Sequence, residues 1–271
     1  MSEEQNVIDI HAIHPINYTK SYVAFLDVLG FKNLIYSNKK ADKNKVESYF
    51  GIVNSAIDYL KTIDAKRDIG SIVISDSIIL SVPFGNSKQE NIEKLKQLSI
   101  AIALIQFALS VKDIWLRGAI SFGDTYFDKD NNQVVGEAYI NAYLLEEKLA
   151  ITPRVILDNK ILKELKFKSA ALLIKEINNV QVNNWGVDIL YDWDNVKNSS
   201  ILLEKDIPLF IDYLDFTTSF LEEGYIDDII ENIENNMYNN TNLYKKFKWV
   251  STYVLTKLDE DYKDVKRLIN L

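Results

Sequence analysis

Residues 22–29 read YVAFLDVL, an almost unbroken apolar run that stops at Gly30. A strand apolar on both faces has to be covered on both faces, so this run predicts the central strand of a sheet with helices packed on it. Inside it lies one carboxylate, Asp27, with no Lys or Arg before Lys32. Burying an ionised carboxylate is costly unless it is paired or holds a cation. The residue that fits the strand least is therefore the first candidate for function. Taken alone, Asp27 could equally cap the helix expected after Gly30.

The rest of the chain builds on that strand. Residues 1–19 form a loose leader and residues 46–60 an amphipathic helix. Residues 72–82 (IVISDSIILSV) are two short β-branched runs broken at Ser75-Asp76-Ser77. This pattern predicts a hairpin with Asp76 at its tip, where an Asp is also an ordinary turn residue. A long helix over 90–110, a strand over 114–126, a turn at 128–132, a helix over 136–150 and a strand over 154–157 follow. The order β, α, ββ, α, β, β, α, β implies an α/β or α+β sandwich with helices on one sheet. Beyond residue 160, strands are expected at 187–193 and 209–213 and helices at 216–237 and 243–258. No Pro/Gly/Ser linker intervenes, so residues 20–160 are read as the core and 161–271 as a C-terminal extension packed on it. The acidic run Glu222, Glu223, Asp227, Asp228, Glu231 and Glu234 is either a solvated helix face or a partner-binding one, solvation being the ordinary case.

Composition narrows the chemistry. Cysteine is absent, which removes thiol catalysis, disulfides and Cys-ligated zinc. The two histidines, His11 and His14, both sit in the leader. With 31 Lys and Arg against 39 Asp and Glu, the net charge is −8, a poor match to duplex nucleic acid. With no signal peptide or membrane-length apolar run, the expected setting is cytoplasmic. Carboxylate chemistry with a hard metal ion remains. Asp27 and Asp76, at the ends of adjacent strands, can meet over one sheet end and hold Mn²⁺ or Mg²⁺ on a triphosphate. The turn at residues 28–31 offers free N–H groups to phosphate oxygens, with Gly30 letting the backbone come close.

The ordered phrases FLDVLGF, ISDSIIL, LRGAISFGDTYF and GEAYINAYLLE resemble the motifs of the class III nucleotide cyclase catalytic domain. The resemblance spans about residues 22–158. It implies an α+β fold with a mixed, largely antiparallel sheet on a ferredoxin-like core, flanking helices and a C-terminal helical extension. It also implies that Asp27, Asp76 and the Val28 carbonyl hold two Mn²⁺ or Mg²⁺ ions, and that Gly30 and Phe31 form the phosphate turn. Phe25 would face the nucleotide, and Arg117 and Gly123 belong to the third motif. The fourth motif departs from the family: its Asn and transition-state Arg positions hold Ile140 and Leu144, with Asn141 one residue off and Lys148 one turn beyond. Candidate cations facing the phosphates or the transition state are Arg117, Lys148 and Arg154. The late segment KFKW, Lys246 to Trp249, together with Tyr253 extends the likeness to the pyrimidine cyclases of bacterial Pycsar anti-phage systems. That likeness implies a uridylate cyclase acting as a homodimer, with its product read by a separate effector. The family's purine-reading charges are replaced by Ile72 and Gln133, which argues against ATP and GTP; that UTP comes before CTP is what the likeness to the pyrimidine cyclases implies, uridylate cyclases being the commoner kind. The alternatives are a cytidylate cyclase, a purine cyclase, and a non-catalytic nucleotide-binding or scaffold protein on a decayed cyclase fold.

Overall fold

The computed structural model describes residues 12–63, 69–182, 185–205, 209–216, 224–239, 241–259, 262, 263 and 268. Its first half is built from β1 (Thr19–Val28), α1 (Phe31–Tyr36), α2 (Lys40–Ile63), β2 (Gly70–Ile74), β3 (Ser77–Pro83), α3 (Lys88–Val111), β4 (Leu116–Asp128), β5 (Gln133–Gly136), α4 (Glu137–Lys148) and β6 (Val155–Leu157). The sheet order is β2-β3-β1-β4-β5, with β6 also paired to β4. All of these pairings are antiparallel except β4–β6. The β1-α-β2β3-α-β4 unit with β1 between β3 and β4 is the ferredoxin-like arrangement expected from the sequence.

Side chains alternate across β1 and sort the two faces. Tyr22, Ala24, Leu26 and Val28 enter the main core beneath α2 and α3. Val23 and Phe25 face the other way and form a smaller cluster with Ile72, Ile79, Ala138 and Ala142. That second face is covered by α4, which buries Ala138, Ala142 and Glu146 at four-residue spacing. The sheet thus carries helices on both faces, as the two-sided apolar run of β1 requires. Short alanines let α4 lie close to β1. Gly136 makes the bend from β5 into α4 at φ 144°, and a Cβ there would fall 2.2 Å from the Asp124 carbonyl oxygen.

Beyond β6 come α5 (Asn159–Glu164), α6 (Ala170–Ile177), β7 (Val180–Val182), β8 (Trp185–Val187), α7 (Tyr225–Asn239) and α8 (Thr241–Lys257). The strands expected at 187–193 and 209–213 are replaced by the short β8 and two isolated bridges, Leu190↔Ile211 and Ile156↔Phe210. The backbone at 209–211 instead edges β6, where Leu157 N–H donates to the Leu209 carbonyl at 2.7 Å and Ile211 N–H to Val155 at 2.8 Å. Of the helix expected over 216–237, residues 217–223, with Glu222 and Glu223, lie outside the described residues. Its continuation, α7, buries Ile226, Ile229, Ile230, Ile233 and Met237.

The extension shares the main core. Asn232 on α7 donates to the carbonyls of Ser110 and Val111 at 3.0 and 3.2 Å. Phe247 on α8 meets Trp115 edge to face, ring centroids 5.1 Å apart. Lys257 is buried between Asp212 and Asp215, and the Tyr253 hydroxyl donates to Asp212. Among the described residues only α3 is long and apolar enough to cross a membrane, and most of it is buried in this core.

Candidate functional site

Strand pairing sets the site. Asp27 sits opposite Ser77 on β3 and opposite Arg117 on β4, and the Val28 N–H donates to the Asp76 carbonyl at 3.1 Å. The end of β1 and the β2–β3 tip are therefore held together by backbone bonds, and both aspartates lie at one sheet end. Ser75, before Asp76, takes a left-handed conformation with φ 58°, which tightens the hairpin. After Val28 the chain turns at Gly30, φ 73°, into α1. The conformation, rather than crowding, requires glycine here: a Cβ would have nothing nearer than Asn33 at 3.9 Å. Phe31 is buried against Tyr49, ring centroids 5.4 Å apart.

Arg117 bridges two carboxylates. Its guanidinium lies 3.4 Å from Asp27 and 2.8 Å from Glu146. Glu146 reaches it because α4 runs back along the sheet from Gly136 and delivers its inner face to the Asp27 end. Burial pushes the Asp27 carboxyl up, Arg117 pulls it down, and Asp76 adds a smaller upward push. Burial raises Glu146 further, to about 7, against the pull of Arg117. On α8, Lys246 is half-buried in the same field. Burial and the neighbouring Arg117 push its ammonium down, while Asp27 and Glu146 pull it up. From the core side, Tyr49 brings a buried hydroxyl into the field of Asp76 and Asp27, with no hydrogen-bond partner among the described residues.

Other sequence candidates lie elsewhere. Phe25 is 7% exposed and enclosed by Tyr139 and Tyr143 of α4, with ring centroids 6.1 and 5.4 Å away. It is a floor under α4, not an open wall. Lys148 is exposed and follows Glu146 by two residues, about 200° around the helix, so it leaves the site. Asn141 lies one turn after Glu137 at the start of α4, away from the aspartates, and its buried side-chain nitrogen has no hydrogen-bond partner among the described residues. Arg154 is buried with its guanidinium over Trp249 and Phe210, 5.1 and 5.8 Å from the ring centroids, where it clamps the extension instead of facing Asp27. Gln133 is exposed and pairs with Asp128, about 36 Å of extended strand from Arg117. Gly123 packs β4 against the start of α4, remote from the aspartates.

The sequence pattern singles out neither Glu146 nor Lys246 as a site residue. Glu146 carried a signal, since it continues the buried Ala138/Ala142 spacing with a carboxylate. Lys246 carried none beyond the KFKW phrase, because its proximity is created by tertiary packing.

Two carboxylates and a carbonyl are the hard oxygen donors that Mg²⁺ and Mn²⁺ accept. Among the described residues no three acidic or histidine side chains converge on one point. Asp27 and Asp76 are thus two carboxylates at one sheet end that could hold such an ion only with further ligands from outside the side chains described.

No protein-family model matches the chain, and no curated protein matches it. Among solved structures the chain is similar to the adenylyl cyclase CyaB from P. aeruginosa, at 13% identity and TM-score 0.41, covering 73% of this chain and 94% of that one. It is also similar to the guanylyl cyclase domain of the RhoGC fusion protein from the aquatic fungus Blastocladiella emersonii, at 15% identity and TM-score 0.38, covering 55% and 86%. A class III adenylyl cyclase-like ATP-binding protein from Pseudomonas aeruginosa matches at 9% identity and TM-score 0.39, covering 58% and 36%.

Proposed function

We propose that the chain is a metal-dependent nucleotide cyclase that converts UTP to 3′,5′-cyclic UMP and pyrophosphate. The observation that carries this reading is the meeting of Asp27 and Asp76 at one sheet end, on strands whose order follows the motifs of the sequence. In the reaction the ribose 3′-oxygen bonds to the α-phosphorus, the bond from that phosphorus to the bridging oxygen breaks, and the hydroxyl proton passes to solvent. Asp27, Asp76 and the Val28 carbonyl would hold Mn²⁺ or Mg²⁺, which would acidify the 3′-hydroxyl and neutralise the leaving pyrophosphate. Arg117 fixes the Asp27 carboxylate from one side, and Glu146 fixes Arg117 in turn.

The preference for a pyrimidine over a purine is supported by what the base-reading positions lack, and the choice of uracil rests on the resemblance to the uridylate cyclases. Ile72 is 3% exposed within the apolar cluster under α4 and offers no polar group. A base with unpaired polar groups on burial loses on the order of 1–3 kcal/mol per group. Gln133, on β5 beside the far end of β4, is too far away to serve the aspartates of its own chain, so its use requires a site shared by two copies. A homodimer agrees with the exposed apolar side chains of α4, Ile140 on its outer face and Tyr143 at its edge, which are 50% and 42% exposed. The role as a bacterial anti-phage messenger read by a separate effector rests on the resemblance to the Pycsar cyclases. A non-catalytic nucleotide-binding role is the second reading, favoured by the apolar Ile140 and Leu144 where the family has Asn and Arg.

The test is a competition assay with Mn²⁺ and ATP, GTP, CTP and UTP in one tube, with products identified by mass. Cyclic UMP is expected to dominate. Dominant cyclic CMP overturns only the choice of base, dominant cyclic AMP or GMP overturns the pyrimidine reading, and no cyclic product selects the non-catalytic one. Light scattering under the assay conditions reads the oligomeric state, and an active monomer refutes the dimer.

A further inference from the structure

The site as described has a charge problem. Asp27, Asp76 and Glu146 supply three carboxylates, and Arg117 is engaged with two of them. The α4 positions expected to face a phosphate do not: Leu144 is apolar, and Lys148 lies on the far side of the helix. One cation in the neighbourhood is uncommitted. Among the described residues, no carboxylate oxygen lies within the 4 Å ion-pair distance of the Lys246 ammonium.

Lys246 is held there by packing. Its neighbour Phe247 is 1% exposed and seated on Trp115, two residues before Arg117 on β4. The Trp115 carbonyl accepts from the N–H of Leu29, in the turn that follows Asp27 and Val28. One aromatic contact thus locks α8 to both strands of the site. On the next turn Trp249 lies under the Arg154 guanidinium, which fixes the rotation of the helix. A half-buried ammonium without an ion-pair partner is unusual, because burial disfavours the charge unless something pays it back. A polyanion bound at the aspartates would do so.

Resting on the cyclase reading, we infer that Lys246 is the phosphate-facing cation of the site, supplied by the C-terminal helix in place of the cation that α4 lacks. Its ligand class is the triphosphate chain of the substrate and the pyrophosphate that leaves. The extension is accordingly a working part of the site as well as a structural one.

The experiment uses the full chain and three variants: Lys246→Met, Lys246→Arg and, as a surface control on the adjacent exposed position, Lys245→Met. Calorimetry measures binding of Mn²⁺ alone and of inorganic tripolyphosphate in saturating Mn²⁺. Lys246→Met is expected to keep wild-type Mn²⁺ affinity and melting temperature and to bind tripolyphosphate at least tenfold more weakly. Lys246→Arg is expected to stay within threefold of wild type, and Lys245→Met to be unchanged. In turnover, Lys246→Met raises the KM for the triphosphate by the same factor as the binding loss. Wild-type tripolyphosphate binding in Lys246→Met, or an equal loss in Lys245→Met, overturns the inference and leaves the cyclase reading standing. If the wild-type chain binds no tripolyphosphate with Mn²⁺, both fall.

Discussion

Replacing Glu146 by Gln should change how stability depends on pH, by an amount the structure sets. The side chain is buried on the inner face of α4, and its carboxyl is raised from the ordinary 4.5 to about 7. Between those values the folded chain holds a proton that the unfolded chain has released. Stability therefore falls as pH rises through that window. Below it the group is protonated in both states and costs nothing; above pH 7 the fold carries the full cost of an ionised, buried carboxylate. A displacement of that size is worth about 3 kcal/mol at 1.36 kcal/mol per pH unit. Gln imitates the protonated form at every pH, so the variant lacks this slope. Urea unfolding of both proteins at pH 5 and pH 8 isolates the term, because the other titrating groups cancel in the difference. The variant should gain about 2–3 kcal/mol on wild type between the two conditions, because at pH 5 the unfolded chain has already lost part of its proton. A wild-type-minus-variant difference that stays constant between pH 5 and pH 8 refutes the reasoning and means that Arg117 fully compensates Glu146.

Three further outcomes are expected. Asp27→Ala and Asp76→Ala should each abolish Mn²⁺-dependent turnover in a folded protein, since one carboxylate cannot hold the ions against a triphosphate; wild-type rate in either variant removes the metal assignment. Lys257→Met should cost about 3–5 kcal/mol in urea unfolding, because it strands the fully buried Asp212. Gly30→Ala should cost about 1–2 kcal/mol from the backbone alone, as φ is 73° and there is room for the methyl group; an unchanged midpoint in urea shows that the turn has moved.

The first half of the fold was legible because its signals are local. The unbroken run at 22–29 places β1 in the middle of the sheet, and the break at Ser75-Asp76-Ser77 marks the hairpin tip. Together they bring Asp27 and Asp76 to one end. The extension was less legible for a physical reason. Residues 209–211 are apolar like a strand, but their backbone is spent on the edge of β6, and no local pattern encodes such a partner. The same limit explains Lys148 and Arg154. Both are cations near the right motif in sequence, yet helix rotation turns one outward and two aromatic rings capture the other. Phe25 shares a face with Asp27 as strand alternation requires, and α4 then closes over it.

The contact between Trp115 and Phe247 also bears on the order in which the molecule comes into being. A ribosome adding roughly 5–20 residues per second needs about 10–40 s to travel from Asp27 to Phe247. During that interval both aspartates and the strands that carry them have been made, while the indole of Trp115 still lacks the ring that covers it. The nascent chain can pair its sheet early, but the surface awaiting α8 stays wet until that helix emerges. The helix that bears Lys246 thus docks on a sheet already made, and a chain stalled before that point carries the aspartates without it.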